Sequence, residues 1–296
     1  MGDARKHLEQ VSALMATPAL NLEPQLETPR IIHQIYLSRA CPPELRRCSE
    51  RLRRDNPAWD YRLYDDSAAE AFIADDFGAG VLEVYRRISP KYAAARADFL
   101  RYLAVYRWGG VYLDVKSGAD RPLDRIRRTD GKIWLSRWRN GRGEIHEGWG
   151  MLPETDSMGG EFQQWYVAAP AGHPYLRAVI EQVMLNVLSY DPFRHGVGQF
   201  GVLRTTGPIP FTIGVCSMLR INRHEVRKGS DEIGLRYSLL DSGNEQKHVW
   251  LFSDHYTQCT DPVVTTTGWR ELRYRAWRRL RLHRGDLNTW ASIVRR

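Results

Sequence analysis

Four of the seven charged side chains in residues 91–116, KYAAARADFLRYLAVYRWGGVYLDVK, have types and spacing that could do chemistry: Asp98, Arg101, Asp114 and Lys116. Asp98 and Arg101 are three apart, so on a helix they are neighbours. Asp114 falls near the C-terminal end of a short strand, where open α/β sheets bind ligands. Lys116 follows two residues later. A protonated ammonium cannot ligate a metal, but as a point charge it neutralises phosphate. The same spacing also fits a buried helix–strand unit in which Asp98 and Arg101 are only an intrahelical ion pair. Spacing alone leaves both readings open.

The elements that must position these groups are written in the same stretch. Tyr92, Ala95, Phe99, Leu103 and Tyr106 recur at helical spacing and give one apolar face. Gly109-Gly110 stops the helix, because glycine takes the left-handed cap conformation without a side-chain clash. Val111, Leu113 and Val115 then alternate with Tyr112 and Asp114, which is a strand period.

On the N-terminal side, residues 29–38 (PRIIHQIYLS) predict a first strand near the sheet centre. Residues 42–54 predict a basic helix opening on two prolines. Trp59 to Tyr64 predict a second strand, Asp65 and Asp66 a helix N-terminus, and residues 67–89 one or two helices broken near Gly78 and Gly80. On the C-terminal side, Lys132 to Leu135 and residues 162–169 read as strands. Residues 173–190 read as a helix, and Pro208 opens another. Further strands are expected near 235–240 and 248–252. Residues 136–160 form a glycine-rich polar loop, whose Trp138 and Trp149 either line an acceptor site or pack the loop down. Residues 1–27 read as a short helix and proline-containing linker outside the core. Residues 263–296 read as a basic, aromatic-bearing helical segment that lies on an anionic membrane surface or packs by one face.

The net charge is +8, which suits anionic partners: phosphates, nucleic acid or an acidic membrane leaflet. No zinc-finger spacing or RNA-binding signature accompanies that charge, so a nucleic-acid partner is not expected. No run approaches the length of a transmembrane helix, and the N-terminus lacks a signal-peptide core. A cytoplasmic protein, at most peripheral at a membrane, is the expectation. The four cysteines have no metal-site spacing and read as free thiols.

The run from Ala95 to Asp124 resembles the core of glycosyltransferase family 32. The shared pattern is Arg-x-Asp, an aromatic-rich helix, Gly-Gly-x-Tyr, Asp-x-Asp and Pro-Leu-Asp. Here it is carried by Arg96, Asp98, Gly109, Gly110, Tyr112, Asp114 and Pro122-Leu123-Asp124. Supporting blocks are PRIIHQIY, NPAWDYRLYDD, a Gly-His-Pro turn at 172–174 and TTGPIPFT. The departure is Lys116, which stands at the last Asp of Asp-x-Asp.

This resemblance implies a GT-A fold: an α/β domain with a central mixed sheet, Rossmann-like in its first half, spanning residues 28–262. It implies transfer of a hexose from a UDP- or GDP-sugar to a glycan or glycolipid, as in polysaccharide biosynthesis, with retention of anomeric configuration. Catalysis would rest on Asp98, Arg101, Asp114 and Lys116. Tyr36 would stack on the base, and Arg96, Asp98 and Arg101 would serve the donor sugar. Asp114 would contact the ribose, the sugar or a metal–diphosphate unit. Thr206 and Gly207 would approach the donor, or simply cap a helix. A divalent metal, Mn or Mg, would be held by Asp114 with His255; otherwise Lys116 and nearby arginines replace it. Two rival classes remain: a degenerate glycan- or nucleotide-binding scaffold, and a basic module for membrane surfaces or nucleic acid.

Overall fold

The computed structural model describes residues 2–37, 41–221, 224–240, 259–266 and 268–282. The helices are α1 (Gly2–Met15), α2 (Pro43–Asp55), α3 (Asp66–Arg87), α4 (Ala93–Trp108), α5 (Pro174–Leu188), α6 (Pro192–His195), α7 (Gly198–Thr205), α8 (Pro208–Met218) and α9 (Trp269–Leu282). The strands are β1 (Ile31–Ile35), β2 (Asp60–Tyr64), β3 (Gly110–Leu113), β4 (Gly118–Ala119), β5 (Ile133–Ser136), β6 (Tyr166–Ala169), β7 (His224–Arg227) and β8 (Leu235–Arg236).

Six strands form one sheet in the order β2-β1-β3-β6-β5-β7. β1 pairs in parallel with both β2 and β3, which makes the first half Rossmann-like. β6 then runs antiparallel to β3 and β5, and β5 pairs in parallel with β7. The expected α/β architecture, a mixed sheet flanked by helices, is therefore present. Both faces of the sheet are covered. Ile35, Tyr112 and Val167 join the core built with α3, α4 and α5, while Ile32, Val111 and Leu113 pack with Leu52, Trp59 and Trp165. Burial on both sides explains why β3 is buried at every residue, where alternation would leave one face wet.

α4 is enclosed to a degree its sequence did not predict. Tyr92, Ala95, Phe99, Leu103 and Tyr106 are all fully buried, but so are Leu100, Tyr102 and Val105 on the other faces. Each large side chain so buried contributes roughly 1.5–3 kcal/mol. The helix ends at Gly109 (φ 67°), and Gly110 (φ 99°) turns the chain directly into β3. A Cβ on Gly110 would strike the Ile31 carbonyl of β1, so only glycine allows so close an approach. His33 of β1 clamps the same turn: its Nε2 lies 2.8 Å from the Gly109 carbonyl and its Nδ1 3.1 Å from the Tyr64 hydroxyl.

The expected break in the helix after residue 67 falls at Gly78 (φ 81°, ψ 175°), inside α3. The expected strand at 162–169 begins only at Tyr166, and that at 235–240 is confined to Leu235–Arg236. The strand expected at 248–252 lies outside the described residues. The N-terminal helix corrects the expectation of an appendage: Val11, Met15 and Leu20 are buried in the main core. Arg177 of α5 fastens this segment by donating to the carbonyls of Leu20 (2.8 Å) and Met15 (3.1 Å).

Candidate active site

The C-terminal end of β3 carries Asp114, and α4 runs back beneath it with Asp98 and Arg101 on its inner side. Arg101 is 5% exposed and Asp98 3%. The guanidinium donates to Asp98 Oδ1 at 2.5 Å and to the Gln164 carbonyl at 2.8 Å, and lies 3.4 Å from Asp114 Oδ1. It also stacks 4.6 Å over the Tyr112 ring. One arginine thus ties the helical carboxylate to the strand-end carboxylate.

Each oxygen of Asp98 has a donor. Oδ1 takes Arg101 and, at 3.3 Å, the Gln164 amide; Oδ2 takes the Thr206 hydroxyl at 3.0 Å. Tyr102 donates to Gln164 Oε1 at 2.7 Å and fixes which way that amide points. Burial pushes the Asp98 carboxyl above its ordinary value, against the pull of Arg101, Thr206 and Gln164. Burial works against the Arg101 charge too, but Tyr112, Asp98 and Asp114 more than offset it, and its pKa stands above the usual arginine value.

Asp114 is the member of this group that meets solvent, with 26% of its side chain exposed. Its Oδ1 accepts from the Tyr112 hydroxyl at 2.8 Å and faces Arg101. Its Oδ2 carries no hydrogen bond among the described residues and remains an acceptor for a ligand hydroxyl. The Asp114 carbonyl is held at 3.2 Å by the amide of Gln34, which Tyr61 orients from the other side at 2.8 Å.

Lys116 is 7% exposed. Its ammonium donates to the Tyr237 hydroxyl at 2.7 Å and sits 3.9 Å from that ring's centre. Ser117 and the Lys116 carbonyl bind the same segment, through the Tyr237 carbonyl (2.6 Å) and the Leu239 amide (2.7 Å). Trp138, Trp149 and Trp165 all pack edgewise on Tyr237, with ring centres 5.3, 5.7 and 5.6 Å away. Trp138 and Trp149 therefore pack the loop down onto the Lys116 segment. Beneath them Glu161 accepts from Trp138 Nε1 at 2.5 Å, and burial raises its pKa to about 7.

The structure thus brings Asp98, Arg101, Asp114 and Thr206 into one network. Tyr36 follows β1 with its backbone amide on the Tyr64 carbonyl, and its side chain is half-buried. Gly207 caps α8; a Cβ there would lie 3.0 Å from the Leu203 Cα, a packing role in the α7–α8 turn. Arg96 is not brought in. It donates to the Ile88 carbonyl at 3.0 Å and stacks on Tyr85, fastening the α3–α4 connection. His255 and Asp254 lie outside the described residues. Asp124, at the end of the Pro-Leu-Asp run, serves structure: Arg30 binds it at 2.8 Å.

Sequence reasoning gave no role to Gln164, Gln34, Tyr102 or Tyr112. Tyr112 was visible in Gly-Gly-x-Tyr and Gln34 in the first strand, but Gln164 carries no spacing signal. A divalent ion needs several oxygen or imidazole ligands aimed at one point. Among the described residues no three His, Cys, Asp or Glu side chains converge so. Asp98 is 3% exposed and already takes three donors, and an ammonium stands at 116. The described residues do not fit a metal on their own.

Parts of this chain are similar to known proteins. Residues 42–131 match the family described as "glycosyltransferase sugar-binding region containing DXD motif". Inositol phosphoceramide mannosyltransferase 1 of Schizosaccharomyces pombe is 24% identical over 202 residues, 67% of this chain and 54% of that protein. Mannosyl phosphorylinositol ceramide synthase SUR1 of Saccharomyces cerevisiae is 33% identical over 104 residues, 35% of this chain and 26% of its own. The match thus spans between about a quarter and about half of these relatives' length. Among solved structures, the UDP-bound glycosyltransferase domain of the YGT toxin aligns with 84% of this chain and 97% of its own. That alignment has 8% identity and a TM-score of 0.47. Residues 42–131 thus carry a sugar-binding region of the glycosyltransferase type that the DXD family model describes.

Proposed function

We propose that this chain transfers a hexose from a UDP- or GDP-linked donor to a glycan or glycolipid, with retention of configuration. The observation that carries the reading is the open Oδ2 of Asp114 at the end of β3, backed by the buried network of Arg101, Asp98, Gln164 and Thr206. A carboxylate so placed accepts from hydroxyls of the donor's sugar or ribose. Asp98, whose oxygens are occupied, acts through Arg101 and is a positioning residue. Tyr36 offers a ring at the end of the neighbouring strand for a base to stack on.

Breaking the anomeric bond sends negative charge onto the leaving diphosphate, and positive charge held there stabilises the transition state. Lys116 is the cation next to Asp114 in the chain. A Mn or Mg ion belongs to this reading only with a ligand from outside the described residues, such as His255. That two relatives are named for mannosylating inositol phosphoceramide supports a lipid-linked acceptor and peripheral placement at a membrane. Among the described residues no helix is long and apolar enough to cross one.

The test is a thermal-shift panel of UDP, GDP and their common sugars, with and without Mn. A ligand at a hundred times its Kd stabilises by about 2.7 kcal/mol, which for a chain of 296 residues is a shift of about 4 °C. No shift with any nucleotide overturns the reading. Binding without transfer to any acceptor, unchanged in Asp114→Ala, would favour a degenerate scaffold.

A further inference from the structure

α9 has two apolar sides, and among the described residues only one of them has a partner inside the protein. The inner side is anchored: Tyr274 donates to the Thr260 carbonyl at 2.7 Å, Arg278 binds Asp261 at 2.5 Å, and Tyr274 and Trp277 meet Phe193 edge-on. The outer side carries Trp269, Leu272, Ala276 and Leu280. That spacing of i, i+3, i+7 and i+11 stacks them in one stripe about 80° wide. Trp269 is 61% exposed, and Leu272 and Leu280 are each 68% exposed.

The charges around this stripe are ordered. Arg275 and Arg279 run along one edge and Arg273 along the other. Arg273 also reaches Asp191 at 2.7 Å and covers the Trp269 ring at 4.7 Å. The helix sequence WRELRYRAWRRLRL has six arginines and a single acid, Glu271. Glu271 lies toward the inner side and is paired with Arg275 at 2.6 Å. An aromatic-aliphatic stripe edged by arginines is the layout of a helix lying in the plane of an anionic lipid surface.

We propose that the outer face of α9 docks on an anionic bilayer, with Trp269, Leu272 and Leu280 entering the headgroup boundary and Arg273, Arg275 and Arg279 meeting lipid phosphates. A second copy of the chain fits worse, since a two-fold contact through this face sets arginines against arginines. Nucleic acid leaves the leucines without an apolar surface. The residues that hold α9 to the domain, Asp191, Phe193, Thr260 and Asp261, lie outside the Asp98–Arg101–Asp114 network. Delivery of a lipid-linked acceptor by this docking rests on the glycosyltransferase reading; the docking does not.

The experiment is co-sedimentation of the full chain with phosphatidylcholine vesicles, with and without phosphatidylglycerol. Binding is expected only with the anionic lipid and is expected to weaken with salt. Arg275→Gln and Arg279→Gln each lose about fivefold. Leu272→Glu with Leu280→Glu loses at least about tenfold, since each buried leucine is worth more than that factor, while the melting temperature stays at the wild-type value. Equal binding to both vesicle types, or undiminished binding by the double-Glu variant, overturns the proposal. So does a concentration-dependent dimer, or duplex DNA binding without vesicle binding, that the same variant abolishes. The nucleotide thermal shift is run on the same samples. Vesicle binding without it fails the transferase reading alone, and the converse fails the docking alone.

Discussion

Thr206→Val isolates one hydrogen bond to the buried carboxylate. Thr206 is fully buried, and its hydroxyl is the donor to Asp98 Oδ2, at 3.0 Å. Valine keeps the shape and puts a methyl group against the oxygen. A hydrogen bond to a buried charged group is worth about 1.5–3 kcal/mol. Asp98 keeps Arg101 at 2.5 Å and Gln164 at 3.3 Å, so a cost near the middle, about 2 kcal/mol, is expected. For a chain of 296 residues that lowers the melting temperature by about 3 °C. The control is Thr206→Ser, which keeps the hydroxyl and drops one methyl group, at a cost of about 1 kcal/mol. Urea unfolding with an unchanged m-value measures both. Valine as stable as wild type, or more stable than serine, would refute the claim that the Thr206 hydroxyl supports the buried Asp98 carboxyl group.

Asp114→Asn should reduce kcat/KM at least about tenfold, since a hydrogen bond from a ligand hydroxyl to a charged group is worth about 1.5–3 kcal/mol. Its melting temperature should move little, because the group is partly exposed; a variant equally depleted in folded protein would point to a structural role. Glu161, raised to about 7 by burial, costs about 3 kcal/mol once ionised. That loss accrues as pH rises from its ordinary value through 7, so Glu161→Gln should be more stable than wild type at pH 8 and equal to it at pH 4. His33 is lowered to about 4 by burial and stays neutral, so its stabilisation is lost as pH falls from 6.5 through 4. The two slopes oppose each other below 6.5, and removing Glu161 should steepen the acid limb in a pH series of urea midpoints. Gly110→Ala should cost at least about 2 kcal/mol, from a positive φ and a Cβ driven at the Ile31 carbonyl, and should lower the folded yield.

The helix–glycine–strand unit was legible because each part has a strong local signal: helical spacing in α4, a paired-glycine stop, and a β-period in β3. Asp98, Arg101 and Asp114 were legible because charge in an apolar context stands out, and the resemblance named their company. Thr206 was placed in the pocket by resemblance, while its cap reading belongs to its neighbour Gly207. Gln164 was not legible. A neutral amide before a strand has no period to keep, and its role depends on β6 lying beside β3, a tertiary fact. Arg96 shows the opposite error. It sits two residues from Asp98, but a helix turns by about 200° over two residues, so it faces Ile88. The N-terminal helix was misjudged because Val11, Met15 and Leu20 are too sparse to announce a buried face. α6, α7 and β7 were too short or too polar to be expected.

The cost of the buried network bears on what it is for. An ion pair with both members about 95% buried adds little net stability, because desolvation offsets the attraction. Arg101 is shared between Asp98 and Asp114, which leaves two carboxyl groups on one guanidinium and an open end at Asp114 Oδ2. A phosphate is repelled from that point, and a hydroxyl is welcomed. Two residues on, Lys116 supplies the opposite sign, steadied by Tyr237. In the proposed reading this sequence of charges sets the donor's direction, with hydroxyls to Asp114 and diphosphate toward Lys116. Lys116→Asp, restoring the family pattern, should then weaken nucleotide diphosphate binding without Mn and recover it with Mn. Binding unchanged in both conditions would show that Lys116 serves the packing around Tyr237 and not the donor.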